Sequence, residues 1–169
     1  MAQQIYFEDI HPGDQIPPLG PQVWDTPDIV RFSSAVENYE HLHQDRKWAR
    51  EHGFPDTLIN GPIKNSMLSI MLTNWIGPGG FLRKLTCRHA GMDVPMNALT
   101  ATGVVRGCTV GSDGLGYVDC DVQVTNQKGV ATCIGSAVAV LPRRNGPGIP
   151  LSFAVPEDLL SLPSVHPAT

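Results

Sequence analysis

The sequence has little that would mark it as a redox, metal, membrane or nucleic-acid protein. Its four cysteines, Cys87, Cys108, Cys120 and Cys133, show no C-x-x-C spacing. They fall in apolar, strand-like stretches, so buried and reduced thiols are expected rather than a metal cluster or a disulfide frame. Positive charge is not in excess: 12 Lys and Arg stand against 16 Asp and Glu, a net charge of −4. Such a chain has no general attraction for nucleic acid or anionic lipid, and neither is expected as a partner. No apolar run reaches membrane-spanning length. The opening M-A-Q-Q-I-Y-F-E-D-I has neither a basic start nor an apolar stretch after it. No signal peptide is therefore expected, and a cytoplasmic location follows. There is no internal repeat and no low-complexity segment.

What remains is an ordinary globular composition. The chain has 169 residues, of which 41% are hydrophobic and 17% charged. That is enough for one domain with a real core. Residues 1–25 hold Tyr6-Phe7, a Pro- and Gly-rich connector and the extended pair Val23-Trp24. Proline is excluded from central strands, so this region reads as ordered loop and edge strand. Thr26 as cap, Pro27 at the first position and Asp28 near the positive end predict a helix running to about Asn38. Asp45 to Gly53 reads as a short second helix.

Gly61-Pro62 opens the third. Ile63, Met67, Leu68, Ile70, Met71, Leu72, Trp75 and Ile76 make it apolar on nearly every side, which predicts a buried helix. Lys64, its one charged residue, is expected to reach out to water. Gly77-Pro78-Gly79-Gly80 ends it. Strands are then predicted over Phe81–His89, Leu99–Val110, Leu115–Thr125 and Val130–Leu141, with turns at Ser112-Asp113-Gly114 and Asn126–Gly129. The last three form an antiparallel meander. Beyond Leu141, six prolines punctuate a surface tail, with one helical turn expected near Asp158–Ser161. The order is helices first, then a long antiparallel sheet, which is an α+β class.

The chemistry concentrates between Glu37 and Met67. Glu37, Glu40, His41, His43 and Asp45 crowd into nine residues, just upstream of a helix N-terminus that can hold an oxyanion. An imidazole exchanges protons near neutral pH. Gly61 has no side chain, so its N–H can approach a ligand at the positive helix end, although a plain Gly-Pro helix start looks the same. Pro62 has no N–H, leaving Ile63 as the other possible backbone donor. His41 and His43 suggest a metal pair, but no third ligand cluster accompanies them, and neither a metal nor a cofactor is expected. Glu37, Glu40, Arg143 and Arg144 read most simply as solvated surface charges.

This order of elements resembles the hotdog fold, a curled antiparallel sheet around one central helix. The residues resemble the MaoC-like (R)-specific enoyl-CoA hydratases. That family carries D-x-N-P-x-H-x-D, then a Gly-Phe pair, then A-H-G entering the central helix. Here stand Asn38-Tyr39-Glu40-His41-Leu42-His43-Gln44-Asp45, then Gly53-Phe54, then Ile59-Asn60-Gly61. The likeness is greatest to the small hydratase subunits of bacterial steroid side-chain breakdown, which share Y-x-x-x-H-x-D and a helix ending in W-x-G-P. It implies a single hotdog domain over residues 1–142 and a Pro-rich tail over 143–169. It implies an acyl-CoA substrate, and a dimer with a like chain or another hotdog chain. The family's catalytic His falls on His43 and its catalytic Asp on Asn38. Its oxyanion glycine falls on Gly61, and its pocket serine on Ser66. The sequence departs from the family where Asn38 replaces Asp, Glu40-His41 replaces Asn-Pro, and Asn60-Gly61-Pro62 replaces His-Gly-Met.

An amide orients water but takes no proton near neutral pH. Three readings therefore stand. His43 works alone while Asn38 orients water; or Glu37 or Glu40 supplies the carboxylate; or the chain is a non-catalytic acyl-CoA-binding partner subunit. A hotdog thioesterase is the remaining enzyme reading. Many of those carry an acid on the central helix, and Gly61 to Ile76 contains none.

Overall fold

The longest helix, α4 (Gly61–Ile76), organises the molecule. The computed structural model describes residues 4–150. Pro62 fits the first turn, and Gly77 stops the helix at φ 75°, a conformation that costs glycine little. Ile63, Met67, Leu68, Met71, Leu72 and Ile76 are buried along α4. Each such side chain contributes about 1.5–3 kcal/mol when removed from water. Contrary to the sequence pattern, burial is not complete all round. Pro62, Ser66, Ile70, Thr73 and Asn74 form an exposed stripe, with Ile70 47% exposed. The sheet curls around most of α4 without closing over it.

That sheet has five antiparallel strands, β1 (Gln15–Val23), β2 (Phe81–His89), β3 (Ala98–Val110), β4 (Gly116–Asn126) and β5 (Ala131–Leu141), in the order β1-β3-β4-β5-β2. The predicted meander is β3-β4-β5. Alternation puts Val118, Cys120, Val122 and Val124 of β4 into the core with Leu99, Ala101 and Val105 of β3. Tyr117, Asp119, Asp121 and Gln123 point the other way. All five strands touch α4. β1 carries Pro17, Pro18 and Pro21, and it lies at an edge with two breaks in register, as residues lacking an N–H require.

The helices before α4 differ in detail from expectation. Helix α1 (Thr26–Ala35) is capped by Asp25, not Thr26. The Asp25 and Asp28 side chains bond reciprocally to each other's backbone N–H, a capping box that outcompetes a single threonine hydroxyl. Helix α1 also stops three residues short of Asn38, because Glu37 turns the chain at φ 54° and the Asn38 N–H bonds back to the Ser33 carbonyl at 2.8 Å. One turn not foreseen, α2 (His41–Gln44), follows. Helix α3 (Arg46–Glu51) has Asp45 as its cap, as expected, accepting from the Trp48 N–H at 2.9 Å. The helical turn expected at Asp158–Ser161 lies outside the described residues.

Arg143 and Arg144 serve the fold. Arg144 makes two bonds to the Asp9 carboxylate, at 2.8 and 2.7 Å, and Arg143 donates to the Gly114 carbonyl. Arg144 thus fastens the chain after β5 to the N-terminal segment, and Arg143 fastens it to the β3–β4 turn. The Arg144 bonds hold the Asp9 carboxyl below its usual range.

Candidate functional site

Three short segments meet in front of the α4 N-terminus. The first is the reversal after α1. The Asn38 side-chain oxygen accepts from the Glu40 N–H at 3.2 Å, and Gln44 Nε2 donates to the Asn38 carbonyl at 3.1 Å. These bonds set the entry into α2, which carries His43. They commit the oxygen of the Asn38 amide and leave its NH2 group to donate.

The second segment, Thr57–Asn60, is buried and held from three sides. His43 Nδ1 lies 2.8 Å from the Leu58 carbonyl. A carbonyl only accepts, so Nδ1 carries the hydrogen and the neutral ring presents Nε2 as its basic nitrogen. The Leu58 N–H bonds to the Leu42 carbonyl at 3.0 Å, and the Ile59 N–H bonds to the Asp93 carbonyl at 2.8 Å. Asn60 is fully buried. It exchanges hydrogen bonds with Ser33 of α1, at 3.1 and 3.3 Å. The orientation of His43 and the path into Gly61 are thereby built by one network. At the start of α4 the Ile63 N–H is taken by the Asn60 carbonyl at 3.1 Å. Among the described residues nothing accepts the Gly61 N–H, so it points out of the helix as a free donor.

The third segment follows β2. Lys64 does not reach water: it is 2% exposed, with Nζ 2.6 Å from Asp93 Oδ2 and 3.0 Å from the Gly91 carbonyl. Asp93 Oδ1 accepts from Asn126 at 3.1 Å. The reason is topological. Lys64 lies on the sheet side of α4, and a cation sealed there needs an anion and acceptors around it. Asp93 thus holds Lys64 by its side chain and Ile59 by its carbonyl. His89, at the end of β2, reaches the helix start itself. A Cβ on Gly61 would lie 2.6 Å from His89 Nε2 and 2.8 Å from its Cε1.

The structure brings Asn38, His43 and Gly61 into this one hydrogen-bonded region. Ser66 sits one turn into α4 on the exposed stripe, its hydroxyl donating to the Pro62 carbonyl at 3.0 Å. Glu37 and Glu40 are exposed. Sequence reasoning missed His89, Asp93 and the Ser33–Asn60 pair. A lone lysine in an otherwise apolar helix was the available signal for Asp93; nothing in the sequence pointed to His89.

Other reactive groups lie elsewhere. Burial pushes the Cys120 thiol up to about 12 and the Cys133 thiol up to about 11, far from thiolate chemistry at neutral pH. Among the described residues no three His, Cys, Asp or Glu side chains gather as a metal site, and no helix is long and apolar enough to cross a membrane. A concavity of about 380 Å³ on the sheet, lined by Thr102, Asp121 and Gln123 among others, includes neither His43 nor Gly61. Its Asp121 is paired with Arg106 at 2.6 Å.

A five-stranded antiparallel sheet wrapped around one central helix is the architecture this chain shares with solved hydratase and dehydratase structures. Among solved structures, the chain is similar to the R-hydratase PhaJ1 of Pseudomonas aeruginosa, with a TM-score of 0.73 and 18% identity over 90% of this chain and 95% of that one. It is similar to a MaoC-like dehydratase of Rhodospirillum rubrum, with a TM-score of 0.72 and 20% identity over 83% and 98%. It is also similar to a chain of the ChsH1–ChsH2 complex of Mycobacterium tuberculosis, with a TM-score of 0.66 and 20% identity over 78% and 98%. No protein-family model matches the sequence, and no curated protein sequence matches it. The fold is therefore the hotdog fold.

Proposed function

We propose that this chain is an enoyl-CoA hydratase of the MaoC-like type, adding water to a 2-enoyl-CoA or removing it from the 3-hydroxyacyl-CoA. One observation carries the reading. His43 is bonded through Nδ1 to the carbonyl of Leu58, which leaves Nε2 free, and three residues further on the Gly61 N–H stands unbonded at a helix N-terminus. Hydration needs both parts, a base for water and a donor for the thioester oxygen where enolate charge develops.

In the proposed reaction His43 Nε2 takes a proton from water as the water oxygen bonds to the β-carbon. The alkene electron pair moves onto the thioester, and the Gly61 N–H stabilises the enolate oxygen. The imidazolium then returns its proton to the α-carbon, so water is added and the enzyme is restored. Asn38 donates from its NH2 group to the water oxygen. It positions water without exchanging protons, which makes His43 the sole acid–base group. Ser66, one turn past Gly61, is assigned to the acyl-CoA pocket. A dimer with a second hotdog chain, identical or not, completes the site, and a cytoplasmic location fits the four free thiols.

The second reading, a non-catalytic acyl-CoA-binding partner subunit, is favoured by one observation, the amide of Asn38 at the position of the family's carboxylate. The absence of an acid on α4 weighs against a thioesterase. The test follows loss of the conjugated thioester absorbance with short, medium and bulky enoyl-CoAs. His43→Ala should lower kcat by about 10²–10⁴, and Asn38→Asp should raise it. Turnover that survives His43→Ala sinks the mechanism. Inactivity both before and after Asn38→Asp favours the partner subunit.

A further inference from the structure

We propose that His89 is the second donor of the oxyanion site, hydrogen-bonding from Nε2 to the thioester oxygen held by the Gly61 N–H. The inference rests on the acyl-CoA reading of this site. It starts from the donors of the first helical turn. A carbonyl oxygen that gains charge has two lone-pair directions and is best held by two donors. Pro62 has no N–H, and the Ile63 N–H is spent on the Asn60 carbonyl. The backbone therefore supplies one donor, Gly61, where an acyl-transfer or enolate site calls for two.

His89 stands where the other is needed. Its ring abuts the bare α-carbon of Gly61, with Nε2 2.6 Å from the place a Cβ would take. Any residue larger than glycine at position 61 would have to push this exposed imidazole aside. The His89 backbone is fixed. It pairs with Cys133 across the β2–β5 ladder. The next two residues, Ala90 and Gly91, both donate to the Thr132 carbonyl, at 2.9 and 3.2 Å. The Gly91 carbonyl in turn accepts from Lys64 of α4. Strand end and helix start are therefore locked together, and the ring sits between them. Among the described residues none hydrogen-bonds the His89 imidazole, so its donor is unspent. The ring lies outside the His43 network, at the end of β2 rather than on α2, and does not share the work of that base. It holds charge; it does not move a proton.

The experiment compares the wild-type chain with H89L, which removes the donor, and H89Q, which keeps an N–H donor. Two readouts are taken. The first is kcat and KM for the best enoyl-CoA. Loss of a donor that matters chiefly in the transition state lowers kcat and kcat/KM together by about 10²–10³ and leaves KM nearly unchanged. H89Q should recover at least tenfold over H89L. The second is the infrared C=O stretch of bound butyryl-CoA carrying a ¹³C-labelled thioester. It should fall on binding to wild-type protein and rise again in H89L. A stretch unchanged in H89L, or kcat within threefold of wild type, overturns the role of His89 and leaves the hydratase reading standing. A wild-type chain that lowers the stretch but hydrates nothing overturns the hydratase reading, while loss of that shift in H89L upholds the donor role. A wild-type chain that neither hydrates nor shifts the carbonyl overturns both.

Discussion

The residue that departs furthest from its sequence pattern is Lys64. A charged side chain at the start of an apolar helix is expected to extend to solvent, yet Lys64 is sealed against Asp93. A buried pair of this kind adds little over an apolar pair of equal volume, but removing one partner strands the other. Lys64→Met should therefore destabilise the fold by about 3–5 kcal/mol, read as a lower urea midpoint. Lys64→Met with Asp93→Asn should recover much of that loss, because no buried charge is left alone. His43 and Gly61 were candidates at the sequence level chiefly through the family resemblance. Asp93 and His89 were not, since they lie 50 and 46 residues from His43 in sequence and meet the helix start only because β2 runs beside it. Asn38 was legible as a departure, but its commitment to the Glu40 N–H is visible only in the folded loop.

At the scale of elements, local rules served well where they had no competitor. The helix over Gly61–Ile76 follows from Gly-Pro at one end and Gly-Pro-Gly-Gly at the other. The meander follows from alternation broken by Asp-Gly and Lys-Gly turns. The proline-rich β1 reads as an edge strand because proline cannot donate. Two local readings lost to stronger partners. Asp25 with Asp28 displaced Thr26 as cap, and the left-handed turn at Glu37 ended α1 early. Composition implied that α4 is buried all round, and here the exposed stripe makes a sharp prediction. Leu72→Ala, on the core side, should cost about 2–5 kcal/mol. Ile70→Ala, on the stripe, should stay within about 0.5 kcal/mol. Urea unfolding of the two variants checks it, and equal losses would contradict the asymmetric burial.

For the molecule as a whole, the sheet ends in two open edges, β1 and β2. Prolines protect β1. β2 has Phe81 exposed at 44%, and Ile134 on the neighbouring β5 is exposed at 37%. β2 also carries the exposed charges Arg83, Lys84 and Arg88, but an open edge bordered by apolar side chains is commonly covered by another chain, in keeping with the proposed hotdog dimer. Sedimentation at micromolar concentration should give twice the mass of the 18.3 kDa chain for a homodimer. A monomer there excludes self-association as the state that completes the site and points to a different hotdog partner.

The sequence by itself determined the α+β class, the central helix and the meander, which rest on short-range rules: period, punctuation and residue type at close spacing. His43 and Gly61 entered the proposed site through the resemblance to the MaoC-like hydratases. Only the tertiary structure decided that Lys64 is buried with Asp93, that the His43 ring is turned by the Leu58 carbonyl, and that His89 closes on Gly61. Those contacts join segments brought together by the curl of the sheet around α4. Linear spacing carries no information about which distant residues that curl will place side by side.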